Sequence, residues 1–340
     1  MADDLFSDAF RQVLAASCTP AHVRAIEAGE GAAALWTVLE ESGFCDALVP
    51  EAQGGAGLPL RDTFELMALA GEHALPLPFA LTLLLRPWVA RVGAEGRSGA
   101  LTLACDVRRD DGGGLAADAV PCGLVADHVV VTLDGRACVL DAAAAERTST
   151  GVHGSLDADM TWKAVAVEGG WEPFADARAV GALTCAAQMA GAMRAVLACS
   201  VTYANDRKQF GKAIGRFQAI QHQLSVLACE AHASHMAAEM GCASDGVTPH
   251  PLLAAIAKAR CSEAAATVAA IAHAVHGAIG ITEEYDLQLH TRRLHAWRVA
   301  YGSESYWNHE VGRHLVDDTS DLLTFLRERV FAEGPATAAA

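Results

Sequence analysis

Apolar positions recur at helical spacing over most of the chain, with one interruption near the middle. Phe6, Phe10, Val13 and Leu14 open the pattern, and Leu35, Val38 and Leu39 continue it in a helix expected over 23–43 with Gly43 as its stop. A third helix is expected over 60–73, with Phe64, Met67 and Leu69 available for packing and Pro76 and Pro78 ending it. A short one follows over 81–92. From about Gly99 the period changes. Residues 100–105, 123–133, 136–141 and 161–167 are short β-branched or alternating runs, separated by clusters such as Asp110-Asp111-Gly112-Gly113-Gly114. Asp134-Gly135, between Val129-Val130-Val131 and Ala137-Cys138-Val139-Leu140, predicts a hairpin. The helical pattern returns at Asp176 and gives helices over 179–206, 217–240, 251–275, 285–299 and 306–326. These are apolar around much of their circumference, as befits the centre of a bundle or a subunit interface. The expected fold is therefore mainly α with a small β domain: an N-terminal helical domain over 1–96, a middle β domain over 97–175 and a C-terminal four-helix bundle over 176–335. The Ala- and Gly-rich tail after Phe331 is expected to be disordered.

Composition narrows the function. The 340 residues are 52% hydrophobic and 19% charged, a globular and helix-rich balance. A net charge of −16 with no compensating basic stretch argues against nucleic acid as a partner. The ten cysteines are scattered singly with no CxxC pair, so no metal site is expected. Met1-Ala2-Asp3-Asp4 lacks the cationic start of a signal peptide, and no uninterrupted apolar run looks long enough to span a bilayer. A reducing cytoplasm, with no membrane partner, is the expected setting.

Two stretches carry candidate chemistry. Arg207-Lys208-Gln209-Phe210-Gly211-Lys212, followed by Phe217-Gln218, joins two long apolar helices. Read from its residues alone, it is a helix end: two cations suit the negative end of the helix dipole, and Gly211 can take the left-handed cap. A capped helix with no ligand satisfies the same residues. His276-Gly277-Ala278-Ile279-Gly280, with Thr282 and Glu284-Tyr285, follows the third bundle helix, and its glycines let main chain approach another group closely.

With the helix–β–helix order, and with Gly43-Phe44, Val49-Pro50-Glu51 and Gly54-Gly55-Ala56-Gly57 near the N-terminus, these stretches resemble the acyl-CoA dehydrogenase family of flavoproteins. Arg292 stands where that family usually has an arginine. The resemblance implies FAD as cofactor and α,β-dehydrogenation of an acyl-CoA thioester. It implies that Arg207 contacts the FAD pyrophosphate of a neighbouring subunit, that Phe210 packs on the nucleotide, that Gln218 offers it an amide, and that Gly277 admits main chain to the diphosphate. A cofactor shared in this way requires an oligomer.

The chain departs from the family at the catalytic base. The two positions where the family carries that carboxylate align with Tyr301 and Gly181, and a phenol titrating near 10 is a poor base at neutral pH. The family's β-domain loop is not recognisable near Leu103–Asp106, its flavin-covering aromatic segment is missing, and Ala274 replaces an expected glutamine. The catalytic residue is thus unassigned. The resemblance implies a short partner subunit of a heteromer, paired with a homologous longer subunit that supplies the base. The alternatives are a stand-alone enzyme or self-associated form with a relocated base, for which Glu304, then Glu283 and Glu284, are the nearest carboxylates, and a flavin-free scaffold. Electron-transfer flavoprotein is the electron acceptor such a reading carries.

Overall fold

The computed structural model describes residues 2–93, 98–109, 112–163, 171–174 and 176–331. The expected domain boundaries at 96/97 and 175/176, the Asp110-Asp111 turn, most of the run over 161–167 and the C-terminal tail fall wholly or partly outside this set.

The first helices are α1 (Ala2–Ser17), α2 (Pro20–Glu27), α3 (Ala32–Glu41), α4 (Phe64–Glu72) and α5 (Phe79–Val92). The single helix expected over 23–43 is two, because Gly29 (φ +96°) and Gly31 (φ +78°) turn the chain between them. The start of the helix expected over 60–73 is a 3-10 turn, Leu60–Thr63. α5 is buried along nearly its whole length. Its Arg86 is almost fully buried and is held by Glu40, by Asp46 at 3.0 Å and by the Gly99 carbonyl at 3.2 Å. Thr82 exchanges hydrogen bonds with the Leu101 main chain (2.9 and 3.2 Å), which ties α5 to the first strand.

Among the described residues eight strands follow: β1 (Leu101–Ala104), β2 (Val107–Arg109), β3 (Leu115–Val120), β4 (His128–Leu133), β5 (Arg136–Asp141), β6 (Glu146–Ser149), β7 (Ala158–Trp162) and β8 (Glu172–Pro173). They make two four-stranded sheets, ordered β1-β4-β5-β8 and β2-β3-β7-β6. The Asp134-Gly135 hairpin forms as expected, with both residues at positive φ. The strand expected over 123–133 begins only at His128, after a turn, and β2, β3, β6 and β8 escape the hydrophobic pattern. β4 shows why the two sheets stack here. Val130 packs with Leu101, Leu103 and the helices, while Val129 and Val131 point to the other sheet, against Val107, Leu115 and Met160.

The rest is helical: α6 (Ala177–Asp206), the two-stranded hairpin β9 (Lys208–Gln209) and β10 (Lys212–Ala213), then α7 (Gln218–Gly241), α8 (Pro251–His276), α9 (Leu287–Val299), α10 (Glu304–Asp317) and α11 (Leu322–Phe325). The helix expected over 306–326 is broken between Asp317 and Leu322, where Asp321 caps α11 through its carboxylate. α6 is the axis, packing against α4, α7, α8 and α9. One departure from expectation concerns membranes. By length and composition alone, Ala177–Asp206 and Pro251–Ile281 are long and apolar enough to cross one. Here both are core helices of the bundle.

Burial also sets the acid response of the fold. His290 on α9 is half-buried, its buried Nδ1 has no partner among the described residues, and its pKa falls to about 4, chiefly through loss of solvent. His73, His250, His273 and His276 are lowered for the same reason. A folded pKa below the unfolded value means that the unfolded chain binds more protons between the two. The stabilisation is therefore complete above pH 6.5 and is lost as pH falls through that window. His290 alone accounts for up to about 3 kcal/mol. Thermal melts from pH 7 to pH 4 should show the midpoint falling; a flat profile would exclude this role for His290.

Candidate functional site

The Arg207 stretch is a helix end, as its residues suggest, but the left-handed Gly211 serves a hairpin and not the cap. Arg207 ends α6 in an extended conformation, and its N–H donates to the Tyr203 carbonyl at 2.9 Å. The chain then forms the β9–β10 hairpin, with Lys208 opposite Ala213 and Gln209 opposite Lys212. Phe210 (φ +52°) and Gly211 (φ +80°) make its tip. Glycine takes this conformation freely, whereas a phenylalanine there costs about 1 kcal/mol or more. Packing among the described residues does little to offset that cost, because Phe210 is 90% exposed, with an edge contact to Phe217 at 6.2 Å between centroids. Lys212 sits over the Phe217 ring at 4.2 Å. Arg207 is exposed, and its guanidinium has no hydrogen bond or ion pair among the described residues. Gln218, the first residue of α7, is exposed as well.

Gly277 belongs to the same end of the bundle. Its φ of +64° and ψ of −143° form a combination essentially restricted to glycine. Tyr203, one turn before Arg207, stacks on His276 at 4.5 Å, and its hydroxyl donates to the His276 carbonyl at 3.2 Å. The His276 Nδ1–H donates to the Ala272 carbonyl at 2.8 Å, which leaves Nε2 facing the Cys199 thiol at 3.7 Å. The structure therefore brings Arg207, Phe210, Gln218 and Gly277 to one end of the bundle. The Tyr203–His276 stack that couples the two stretches is spread over two helices and gives no local signal in the sequence.

The two base positions also meet, about 26 residues of helix away from Arg207 along α6. A Cβ added to Gly181 would lie 2.4 Å from the Tyr301 ring, so the phenol occupies the space that a larger residue at 181 would need. Tyr301 holds a left-handed conformation (φ +56°), and its hydroxyl donates to the Leu103 carbonyl at 2.9 Å. Trp307 Nε1 donates to its carbonyl at 3.1 Å. Lys258, fully buried in α8, donates to the carbonyls of Arg298 (2.8 Å) and Gly302 (2.9 Å) on either side. Lys258 sits in α8 two residues before Arg260, so nothing local in the sequence marks it as the buried member of the pair. Burial drives the phenol pKa well above its ordinary value, so Tyr301 is a neutral hydrogen-bond donor and not a base.

Glu304 does not replace the missing carboxylate. It is bound through both oxygens to Arg298, which holds its pKa below the usual range, and it does not line the cleft beside Tyr301. Glu283 is exposed against His153. Arg292 is fully engaged: it donates to Gln288 (2.5 Å), the His153 carbonyl (2.9 Å) and Glu27 (2.8 Å).

The cleft itself has a volume of about 710 Å³ and lies between the segment joining α4 to α5, the strands and α6 and α9. Among the described residues no group of three or more His, Cys, Asp or Glu side chains is placed to hold a metal. All ten cysteines are free thiols. The residues present fit FAD at one place and not at the other. An uncommitted guanidinium, an exposed ring and a glycine main chain suit an anionic dinucleotide at the bundle end. In the cleft, every arginine already has a carboxylate partner.

Comparison with known proteins agrees with this architecture. Residues 168–316 match the model of the acyl-CoA dehydrogenase C-terminal domain. The chain is 30% identical to acyl-CoA dehydrogenase IpdE2 of Mycobacterium tuberculosis over 81% of its own length and 85% of that protein's. Among solved structures, the ChsE4-ChsE5 complex from Mycobacterium tuberculosis superposes with a TM-score of 0.82 at 21% identity, covering 94% of this chain and 98% of that one. A variant of the Tcur3481-Tcur3483 steroid ACAD gives 0.79 at 24% identity, covering 93% and 98%. On this similarity, and on the fold and motifs above, the chain belongs to the acyl-CoA dehydrogenase family of oxidoreductases, whose cofactor is FAD.

Proposed function

We propose that the chain is one subunit of a heteromeric acyl-CoA dehydrogenase, paired with a homologous longer subunit that carries the catalytic base. Arg207, Phe210, Gln218 and Gly277 reach across the interface to FAD seated in that partner. The observation that carries the reading is the contrast between the two ends of α6. At one end the base positions are a glycine and a satisfied, neutral phenol. At the other, an arginine without a hydrogen bond or ion pair among the described residues stands beside a strained, 90% exposed phenylalanine.

The roles follow from chemistry. The planar guanidinium of Arg207 matches two phosphate oxygens and neutralises charge that would otherwise be costly to bury. Phe210 covers the nucleotide from water, and Gln218 supplies both a donor and an acceptor. Gly277 lets its main chain approach the diphosphate without a side chain between them. FAD, when bound, would supply the hydride acceptor for the β-hydrogen of the acyl thioester, and the partner's carboxylate would take the α-proton. Electron-transfer flavoprotein is the proposed acceptor from the reduced complex, and the ten free thiols suit the reducing cytoplasm we propose as the setting.

Co-expression with a homologous longer subunit tests this. A stable complex containing both chains, carrying FAD and oxidising acyl-CoA, is expected, while the chain purified alone should be inactive. Turnover of acyl-CoA by the single chain, or a complex without extractable flavin, would refute the reading.

A further inference from the structure

We infer that Tyr203 is a positioning residue: it locks the arm that carries Arg207 and the loop that carries Gly277 into one rigid unit, so that both are set before FAD arrives. The inference rests on the reading of those two stretches as the elements that contact FAD, and it assigns Tyr203 a task that the reading leaves open.

The arm cannot hold its own direction. The strands of the β9–β10 hairpin pair over two residues each, far too few for a hairpin to be stable by itself. Its base is closed by the Ile214 N–H, which donates to the Arg207 carbonyl at 2.9 Å, and the Arg207 N–H donates in turn to the Tyr203 carbonyl at 2.9 Å. The root of the arm is therefore the last turn of α6. Such turns fray unless another element holds them.

Tyr203 supplies that hold, and the group it grips belongs to the other stretch. Its hydroxyl donates to the His276 carbonyl at 3.2 Å. The N–H on the far side of the same peptide bond, that of Gly277, donates to the His273 carbonyl. A peptide unit is planar, so two anchors fix its orientation. From this pinned plane Gly277 turns into its φ of +64° and leads the chain out of α8. Tyr203 thus holds Arg207 through its main chain and the plane before Gly277 through its side chain.

The surroundings make the link stiff. The Tyr203 ring stacks on His276 at 4.5 Å and 26° and meets the edge of Tyr285 at 6.1 Å. His276 is 4% exposed, and its ring is fixed by the Ala272 carbonyl at 2.8 Å. The Tyr285 hydroxyl donates to the Cys199 sulfur at 3.5 Å, beside the His276 Nε2. Groups ordered in advance spare the ligand the cost of ordering them, so a stiff link between the two stretches favours binding.

Tyr203→Phe tests this, because it keeps the ring and its stack and removes only the hydroxyl. In the full chain purified alone, amide hydrogen exchange at Arg207, Ile214 and Gly277 should quicken at least fivefold, while amides in the middle of α8 keep the parent's rate. The melting temperature should fall by no more than about 3 °C, as for the loss of one hydrogen bond. In the heteromer, FAD affinity should weaken roughly fivefold to tenfold. Combined with Arg207→Ala, the loss should be smaller than the product of the two single losses, because the two stretches act as a unit. Unchanged exchange at those amides, unchanged FAD affinity in a heteromer whose parent binds FAD, or losses that simply multiply would overturn the inference. So would a large fall in melting temperature, which would assign the hydroxyl to the fold as a whole. A parent heteromer without flavin would refute the heteromer reading, and the exchange rates of the isolated chain would still decide whether Tyr203 joins the two stretches.

Discussion

Replacing Arg207 by alanine should strip the assembled complex of its flavin while leaving the melting temperature of the isolated chain unchanged. In the free chain the guanidinium makes no internal hydrogen bond or ion pair among the described residues, so its removal costs the fold nothing that the structure shows. In the complex, the proposed partner group is a buried diphosphate. Truncating one side of a desolvated, hydrogen-bonded charge pair costs about 3 kcal/mol, which is on the order of a hundredfold in affinity. Arg207→Lys should recover only part of this, since an ammonium cannot offer the planar fork. The readout is bound FAD per heteromer after gel filtration, set beside the melting curve of the chain alone. Full flavin occupancy in the alanine variant would remove Arg207 from the site. A lowered melting temperature of the isolated chain would show that the side chain serves its own fold instead.

The second large effect is structural. Gly191→Ala should lower the melting temperature by roughly 4 °C, reflecting a loss of about 3 kcal/mol. α4 and α6 cross in backbone contact. A Cβ on Gly191 would stand 1.7 Å from the Ala68 carbonyl oxygen, and one on Gly71 would stand 1.9 Å from the Gln188 carbonyl oxygen. These obstacles are main-chain atoms at buried positions of two helices, so neither can swing aside as a side chain would. Relief requires the helices to separate, which opens the core around Met67, Ala187 and Met189. Gly312→Ala on α10 is the control. Its Cβ meets nothing within 4 Å, and alanine in a helix interior gains about 0.5–1 kcal/mol over glycine. Equal melting points for the two variants would rule out the close crossing.

The crossing shows one limit of reading the chain without its fold. In the sequence, Gly71 and Gly191 are two among thirty glycines, each sitting in a helical pattern that it mildly weakens. Their use appears only when two helices 120 residues apart are laid on each other. The same holds for Lys258, whose acceptors lie 40 and 44 residues on. It holds too for the strands β2, β3 and β6. β2 and β3 are only partly buried and β6 is exposed throughout, so their hydrophobic alternation is weak. Where a single local rule governs, the reading was better. Asp134-Gly135 demanded a hairpin, and Pro251 opened α8 as the first helical residue. The Arg207 stretch lies between these cases. Its residues satisfied a helix cap and a tight hairpin equally well, and only the pairing of Lys208 with Ala213 decided for the hairpin.

By itself, the sequence determined the order of helices, strands and helices, the family resemblance, and the loss of a carboxylate at 181 and 301. These are carried by residue type and short spacing, which survive without coordinates. Only the tertiary structure decided that Gly181 and Tyr301 are one site and not two. Only it decided that the arm bearing Arg207 and Phe210 faces outward, and that the cleft's arginines are already spent on Glu27. Each of these depends on which distant groups share a neighbourhood. Charge compensation, desolvation and steric fill act through space between such groups, and not along the chain.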